Sequence, residues 1–560
     1  MTGFLLLLVG CDWPSHVYEP YENADLWRPT SQSEATTGNP QRTGDSAGYD
    51  TQPTTLVDTV VAEALAVRTF PCLDPSERDN AGPFQESREL LSIALDSDVD
   101  TMGLVVLDVN GDGWDDVWLA APNGGDVYLF DGSEFIADAG SNVWGSADMS
   151  TARGGSVVDY DADGDLDLFV LRDGGVDRLF RNDGDGAWQE ETEALFKVQD
   201  AGASRAALWT DSDSDGDLDL WVVNDDSGET PRLYQNNDGA FDLQEMEDWI
   251  ADLEAFRDVT QLHAVDVVGD GQPELLSWHS ASSDGVFARL WTRGASGLWT
   301  ASGSPVATTR AALSVAPRHA AGQDGLDWFV GGAEGGWGIQ SNGSKALTWS
   351  NVSLASWGIP VLGLDSVAVT GIYVGDLDHD GVQDVLWDRV PFSVGIDGFS
   401  WNEDRLYLMG EVPDARDQAQ AFGLNGNQNG LGGGLVDINQ DGWLDVVRRN
   451  VTGINTVQLS RCGNNPSLHV RLSWSGLNLN GLGSSVRLDV DGVQQTRWMQ
   501  SDGPAGSATP PVVHFGVGAA GAKARSLRVT WPDGKVSHNS LDVVGGLAAT
   551  SYEVVVYRTD

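Results

Sequence analysis

A nine-residue pattern, Asp-x-Asp/Asn-x-Asp-Gly-x-x-Asp, starts at positions 108, 159, 211, 376 and 437 of this chain. The copies are Asp108/Asn110/Asp112/Asp116, Asp159/Asp161/Asp163/Asp167, Asp211/Asp213/Asp215/Asp219, Asp376/Asp378/Asp380/Asp384 and Asp437/Asn439/Asp441/Asp445. Two worn copies occupy the long interval. One runs from Asp266 to Glu274 and has lost its third-position oxygen; the other runs from Ala320 to Asp327 and keeps Asp324-Gly325 with a displaced Asp327. Counting both, the pattern returns every 51 to 61 residues, so the chain is a repeat protein. Crowded carboxylates repel one another unless a hard cation neutralises them. Alternate side chains, with the backbone carbonyl of the seventh residue (Trp114, Asp165, Asp217, Val382 or Trp443), supply the oxygens that Ca²⁺ prefers. About five calcium sites are expected, with the two worn loops weak or empty.

Short apolar runs rich in β-branched and aromatic residues flank each loop: Leu104–Leu107 before the first and 117–119 after it, then 157–158 and 168–170 around the second. Such runs favour buried strands. A further strand in most repeats ends in a turn such as Arg181-Asn-Asp-Gly184, where Gly and Asn suit positive φ. An EF-hand needs flanking helices and a bidentate Glu at position twelve. Position twelve here is Leu119, Val170, Val222, Trp387 and Arg448, which excludes it. Seven units of about four strands make a radial β-propeller, with residues 84–95 as the strand that closes the ring.

With strands on both sides of each acidic hairpin, the repeats resemble FG-GAP (VCBS) repeats, the units of integrin α-chain propellers. The resemblance implies calcium held by positions one, three, five and nine, between the first two strands of a blade. After residue 462 the acidic loops stop and period-two strands begin at 468–474, 486–490, 512–515, 527–531 and 552–557, which fits a small β-sandwich. There, Leu477-Asn-Leu-Asn-Gly-Leu-Gly483, His514-Phe-Gly-Val-Gly518 and Val529-Thr-Trp-Pro-Asp-Gly534 resemble the ASPIC/UnbV domain that follows FG-GAP repeats in proteins similar to cartilage acidic protein. Asn480 stands where an acidic residue is frequent in that family, which argues against a metal at this turn.

The expected organisation is a lipoprotein signal peptide over 1–11, a flexible tether over 12–83, an all-β seven-bladed integrin-α-like propeller over 84–462 and the ASPIC/UnbV β-sandwich over 463–560. Leu8-Val9-Gly10-Cys11 follows an apolar run too short to span a bilayer and resembles a bacterial lipobox, which implies lipidation of Cys11 and attachment to the cell envelope by lipid alone. The tether is polar and low in apolar periodicity, apart from a helix or strand near 60–70. Cys72 and Cys462 are either an exported disulfide or two buried thiols.

The 84 acidic against 32 basic residues leave a formal charge of -52, which repels nucleic acid and anionic membrane surfaces. None of the eight histidines falls in a zinc pattern, and no nucleophile elbow, phosphate loop or dinucleotide fingerprint is present. His379, at a variable loop position, is expected to point outward, and His514 to be a satisfied strand histidine. The expected role is a non-enzymatic, calcium-binding, extracytoplasmic scaffold for protein or glycan adhesion. The rival is a calcium-dependent polysaccharide lyase or hydrolase working in the propeller channel.

Overall fold

The computed structural model describes residues 63–70, 84–90 and, apart from short internal stretches, 103–559. The three cysteines, the lipobox, most of the expected tether and the turn at 320–325 lie outside the described residues. Among the described residues the chain is almost wholly β, with one four-residue α-helix, Thr192–Leu195. No helix there is long and apolar enough to cross a membrane.

Seven antiparallel sheets follow one another along the chain, at 104–137, 152–190, 204–243, 259–307, 312–352, 367–407 and 430–460. We number them blades one to seven. In blades one to five the four strands pair in sequence order, and blade six shows three strands. Blade seven is completed by Phe84–Leu90, which pairs antiparallel with Asn455–Ser460 and thereby joins the start of the propeller to its end. This is the closing strand expected at 84–95, ending a turn earlier.

Apolar side chains pointing to both faces of each sheet need cover on both faces, and neighbouring blades provide it. Seven apolar clusters fill seven clefts. The cleft between blades four and five holds Trp278, Leu290, Trp328 and Val330; that between blades seven and one holds Val436, Val447, Leu104 and Val117. Trp118, Trp221 and Trp278 on second strands are fully buried, as are most large aromatics of the repeats. The ring is closed by packing at every step.

The C-terminal unit is two four-stranded sheets. One pairs Val493–Trp498, Ser485–Val490, Ala524–Thr530 and Val536–Ser540; the other contains Ser551–Arg558, Ser467–Trp474 and Val513–Gly516. The fourth strand of that second sheet comes from the far end of the chain: Glu63–Phe70 pairs antiparallel with Ser551–Arg558 over eight residues. The 12–83 segment is therefore not tether throughout. Its strand, in the stretch near 60–70 that the sequence left open as helix or strand, is stabilised by a sheet edge almost five hundred residues away. Val493–Trp498 and Val536–Ser540 are likewise strands that the alternation did not single out.

A loop of this C-terminal unit enters the propeller axis. Ala508 forms a parallel bridge with Val105, donating to the Leu104 carbonyl and accepting from the Val106 amide. Ser501 Oγ donates to the Val157 carbonyl, and the Leu104 amide donates to Ser507 Oγ. The approach depends on missing side chains. A Cβ on Gly103 or Gly154 would overlap the carbonyl oxygen of Gly506, and one on Gly434 would meet Thr509 Cγ2. Gly154→Ala is therefore expected to destabilise the protein by about 1–3 kcal/mol through overpacking. Urea unfolding measures the loss, and limited proteolysis should find new cleavage within 500–509.

Candidate metal centres

Each complete motif lies between the first and second strands of its blade, in blades one, two, three, six and seven. All five share one backbone. The fourth residue is left-handed in every copy, with φ of 74° at Gly111, 59° at Ala162, 67° at Ser214, 56° at His379 and 53° at Gln440. The sixth is a positive-φ glycine throughout. That path turns successive amides toward the first carboxylate. Asp108 accepts from the Gly111, Asp112 and Gly113 amides, and Asp437 from those of Asp441 and Gly442. The fifth carboxylate accepts from the amide of residue seven, as in Asp112 with Trp114 and Asp380 with Val382. Side-chain-to-backbone bonds of this sort shape a tight loop without secondary structure.

The ninth residue does something different. Asp167 accepts from the Tyr160 amide at 3.0 Å and, with its other oxygen, from the Asn182 amide on the third strand at 2.8 Å. Asp116 does the same with Val109 and Phe130, Asp219 with Ser212 and Asn236, Asp384 with Leu377 and Met409, and Asp445 with Ile438 and Ser460. It staples loop to third strand. In the worn loop of blade four Glu274 still accepts from the Val267 amide at 2.8 Å. In blade five, Asp327 lies 3.7 Å from Arg318, so its carboxylate faces a guanidinium.

Carboxylates at positions one, three and nine converge. One oxygen from each of Asp159, Asp161 and Asp167 lies within 4.8 Å of the others, and the same holds for Asp211, Asp213, Asp219 and for Asp376, Asp378, Asp384. These groups are made by positions one, three and nine; Asp163, Asp215 and Asp380 at position five are not among them. One oxygen of each accepts from the amide of residue seven, at 3.0 Å from Asp165 for Asp163, 3.2 Å from Asp217 for Asp215 and 2.8 Å from Val382 for Asp380. The Asp215 carboxyl lies against both Asp213 and Asp217 and, after burial, raises each through its charge and through a side-chain hydrogen bond.

Blades one and seven carry Asn at position three, and there the Asn110 and Asn439 amides donate to Asp112 and Asp441. Burial is the largest influence on the clustered acids and pushes them toward protonation: Asp116, Asp159 and Asp219 up to about 8, Asp211 and Asp441 to about 6. Asp376, Asp384, Asp437 and Asp445 are raised well above the carboxylate range, with neighbouring aspartates adding to burial. In blade three, Oδ1 of Asp217 at position seven is buried and finds no geometric hydrogen-bond partner among the described residues, although the Asp215 carboxyl lies against the same side chain. Half-buried carboxyl oxygens held together against their own repulsion fit a hard cation.

The loops of blades six and seven are covered by the C-terminal unit. Asn465 donates to the Asp378 carbonyl, Ser467 Oγ to that of Gly442, and the Gly518 amide to that of His379. His379 does not point outward. It is fully buried, stacked on Trp443 with ring centroids 3.7 Å apart, because the C-terminal unit roofs the loop that sequence treats as a surface turn. Its Nδ1 contacts the Asn465 carbonyl at 3.1 Å and so carries the proton. Its Nε2 then accepts from His514 Nε2 at 3.0 Å, which leaves His514 Nδ1 as a buried acceptor without a partner among the described residues. His469 pairs in register with His514, and its Nδ1 lies 3.7 Å from Asp437. Burial holds His379 at about 3 and His514 well below its ordinary value, so the contact is neutral near pH 7. The three histidines are interdomain packing groups that no motif spacing could bring together.

The ASPIC and UnbV family matches residues 474–544, and the FG-GAP-like repeat family matches 108–170 and 159–222. The chain thus carries FG-GAP-like repeats and a C-terminal ASPIC and UnbV domain. No curated protein matches it. Among solved structures it is similar to an Agrocybe aegerita lectin recognising non-reducing terminal N-acetylglucosamine, at 18% identity over 56% of this chain and 79% of that one, with a TM-score of 0.37. It is also similar to BBS1N in complex with ARL6DN, at 9% identity over 68% and 97%, TM-score 0.40. A third is YCF48 bound to D1 peptide, at 12% identity over 69% and 99%, TM-score 0.38.

Three expectations follow from the loops. Asp167→Ala orphans two buried amides at about 1–3 kcal/mol each, and denaturant unfolding should register that loss even in excess chelator. Asp161 is raised by burial and by Asp163 and bonds no strand amide, so Asp161→Asn should stabilise the chelated protein at pH 8. The raised carboxyls also set a pH dependence: their contribution is present below about pH 4 and lost as pH climbs through the folded values of about 6 to 8. Chelated protein should melt at a lower temperature at pH 8 than at pH 5 by calorimetry.

Proposed function

We propose that this protein is a calcium-rigidified binding scaffold that works outside the cytoplasm, anchored through lipid on Cys11, and that its propeller loops engage an extracytoplasmic protein or glycan. The observation carrying the calcium reading is the backbone shared by five loops, in three of which carboxyl oxygens converge against their own repulsion. The fit is to Ca²⁺ rather than to a softer metal, because the donors are all oxygens. Positions one, three and nine would hold the ion, joined by position five and by the carbonyl of residue seven: Asp159, Asp161, Asp167, Asp163 and Asp165 in blade two, and their equivalents elsewhere. The ion would supply charge neutralisation and a tie between adjacent strands, so that its affinity adds to folding free energy.

A binding role is favoured over a catalytic one by the occupied axis. A polysaccharide-cleaving propeller needs its channel for substrate, and here the 500–509 segment of the C-terminal unit fills much of it. A chain with a formal charge of -52 is also poorly matched to nucleic acid.

Native mass spectrometry should find about five calcium ions per chain. EGTA should lower the melting temperature, each site contributing about 2.7 kcal/mol when free calcium is a hundred times its Kd. In calcium, Asp161→Asn should destabilise, the reverse of its effect in chelator. Equal melts with and without calcium would end the calcium reading. A calcium-dependent array of envelope proteins and glycans that gave no binding would end the scaffold reading while leaving the metal sites intact.

A further inference from the structure

The five complete loops do not share one environment. At position five, Asp112, Asp163 and Asp215 are exposed in blades one, two and three. Their counterparts in blades six and seven are covered: Asp380 is half-buried and Asp441 is 5% exposed. Position four follows the same division, since His379 of blade six is fully buried where Ser214 of blade three is exposed. The cover comes from two stretches of the C-terminal unit, residues 465–469 and 513–518.

Those stretches hold the acidic loops themselves. In blade six, Asn465 Nδ2 donates to the Asp378 carbonyl at 3.0 Å and the Gly518 amide to the His379 carbonyl at 2.9 Å, so two consecutive loop carbonyls are bound from the C-terminal side. The strand Val513–Gly516 lies against position one of that loop, because a Cβ on Gly516 would overlap Asp376 Oδ2 and stand 2.5 Å from the His379 Cα. In blade seven, Ser467 Oγ donates to the Gly442 carbonyl, and His469 Nδ1 lies 3.7 Å from Asp437 Oδ2. The His379 ring stacked on Trp443 joins the two covered loops to each other.

Closing this cover buries carboxyl groups without bringing them an ion-paired partner. Asp376 and Asp384 are 0% and 1% exposed. Arg497, the C-terminal cation whose charge lowers Asp376, donates instead to the Thr496 carbonyl and to Gln495 and lies over the Phe515 ring. A buried charge without a partner is strongly unfavourable, so the covered arrangement is stabilised by whatever neutralises the loop. The converse follows by linkage: a cover that closes better over a neutralised loop raises the cation affinity of that loop by the same factor. Geometry adds a kinetic consequence. The cover must lift before the blade-six loop meets solvent, and Val513–Gly516 is a four-residue edge strand paired with a single neighbour in its sheet. Short edge elements are the ones that open locally.

We propose that residues 465–469 and 513–518 form a calcium-linked cover over the loops of blades six and seven. These two become slow-exchange sites that fasten the C-terminal unit to the propeller, while the loops of blades one to three stay open and exchange freely. The inference rests on the calcium reading above and gives two of its sites a second role in domain docking.

The test loads the full chain with calcium, counts the ions by native mass spectrometry and chases them with a fluorescent chelator in a stopped-flow instrument. Two phases are expected, the ions of blades six and seven leaving about tenfold or more slowly than the others, the worth of one to two hydrogen bonds that must break first. Amide hydrogen exchange should find 465–470 and 512–518 better protected in calcium than in EGTA. Asn465→Ala should speed the blade-six part of the slow phase about fivefold and Ser467→Ala the blade-seven part, each the loss of roughly one neutral hydrogen bond, with the fast phase unchanged. Asp378→Asn should remove one slow ion and lower the protection of 512–518 in calcium, whereas Asp161→Asn should remove one fast ion and leave that protection intact. Ions that all leave in one phase, equal protection of 512–518 in calcium and in EGTA, or a slow phase indifferent to both cover substitutions would each overturn the cover while the calcium sites stand. A chain that holds no ion would overturn the calcium reading, and the cover with it.

Discussion

Carboxylate crowding governs this molecule. Five hairpins hold clustered aspartates in which burial and mutual repulsion both favour the neutral form, yet the same aspartates organise the loops by collecting backbone amides. Position one gathers the loop around itself, and position nine ties it to the third strand. A charge that destabilises and a hydrogen-bond set that stabilises reside on the same oxygens, each of which has a second lone pair. That is why the loops stay shaped while remaining receptive to a cation.

The second organising contact is between the two units of the chain. The C-terminal unit roofs the loops of blades six and seven, contributes His514 to a buried histidine contact with His379, and sends Ala508 along the inner strand of blade one. Its apolar core runs without interruption into the cleft between blades two and three, where Phe169 and Trp209 join Val486 and Trp531 in one cluster. Glu63–Phe70 adds a strand to the same unit before Phe84–Leu90 closes the propeller. The N-terminal part of the chain therefore stitches both units, and metal sites and domain docking share residues.

Much of this was legible from spacing. Repeats with strands on either side of each acidic turn led to seven sheets and to a closing strand near residue 84, because period-two patterning and turn chemistry act within a few residues. The five loops needed little more, since the glycine at position six and the alternate oxygens define them locally. What failed had non-local causes. His379 sits in a variable slot of a surface-type loop, and only the arrival of Asn465 and His514 buries it. The choice between helix and strand at Glu63–Phe70 was open in the sequence because its partner is the distant Ser551–Arg558.

The sequence by itself determined the blade count, the position of every complete acidic loop and the likeness of the repeats and of the C-terminal domain to their families, since each depends on side chains close together along the chain. Tertiary structure alone decided that the propeller axis is filled from the C-terminal unit, with Ala508 along Val105, and that Asn465 and Gly518 roof the loop at Asp378 and His379. Those residues lie far apart in sequence, and their meeting depends on ring closure and on glycines such as Gly103 and Gly154 letting one backbone approach another.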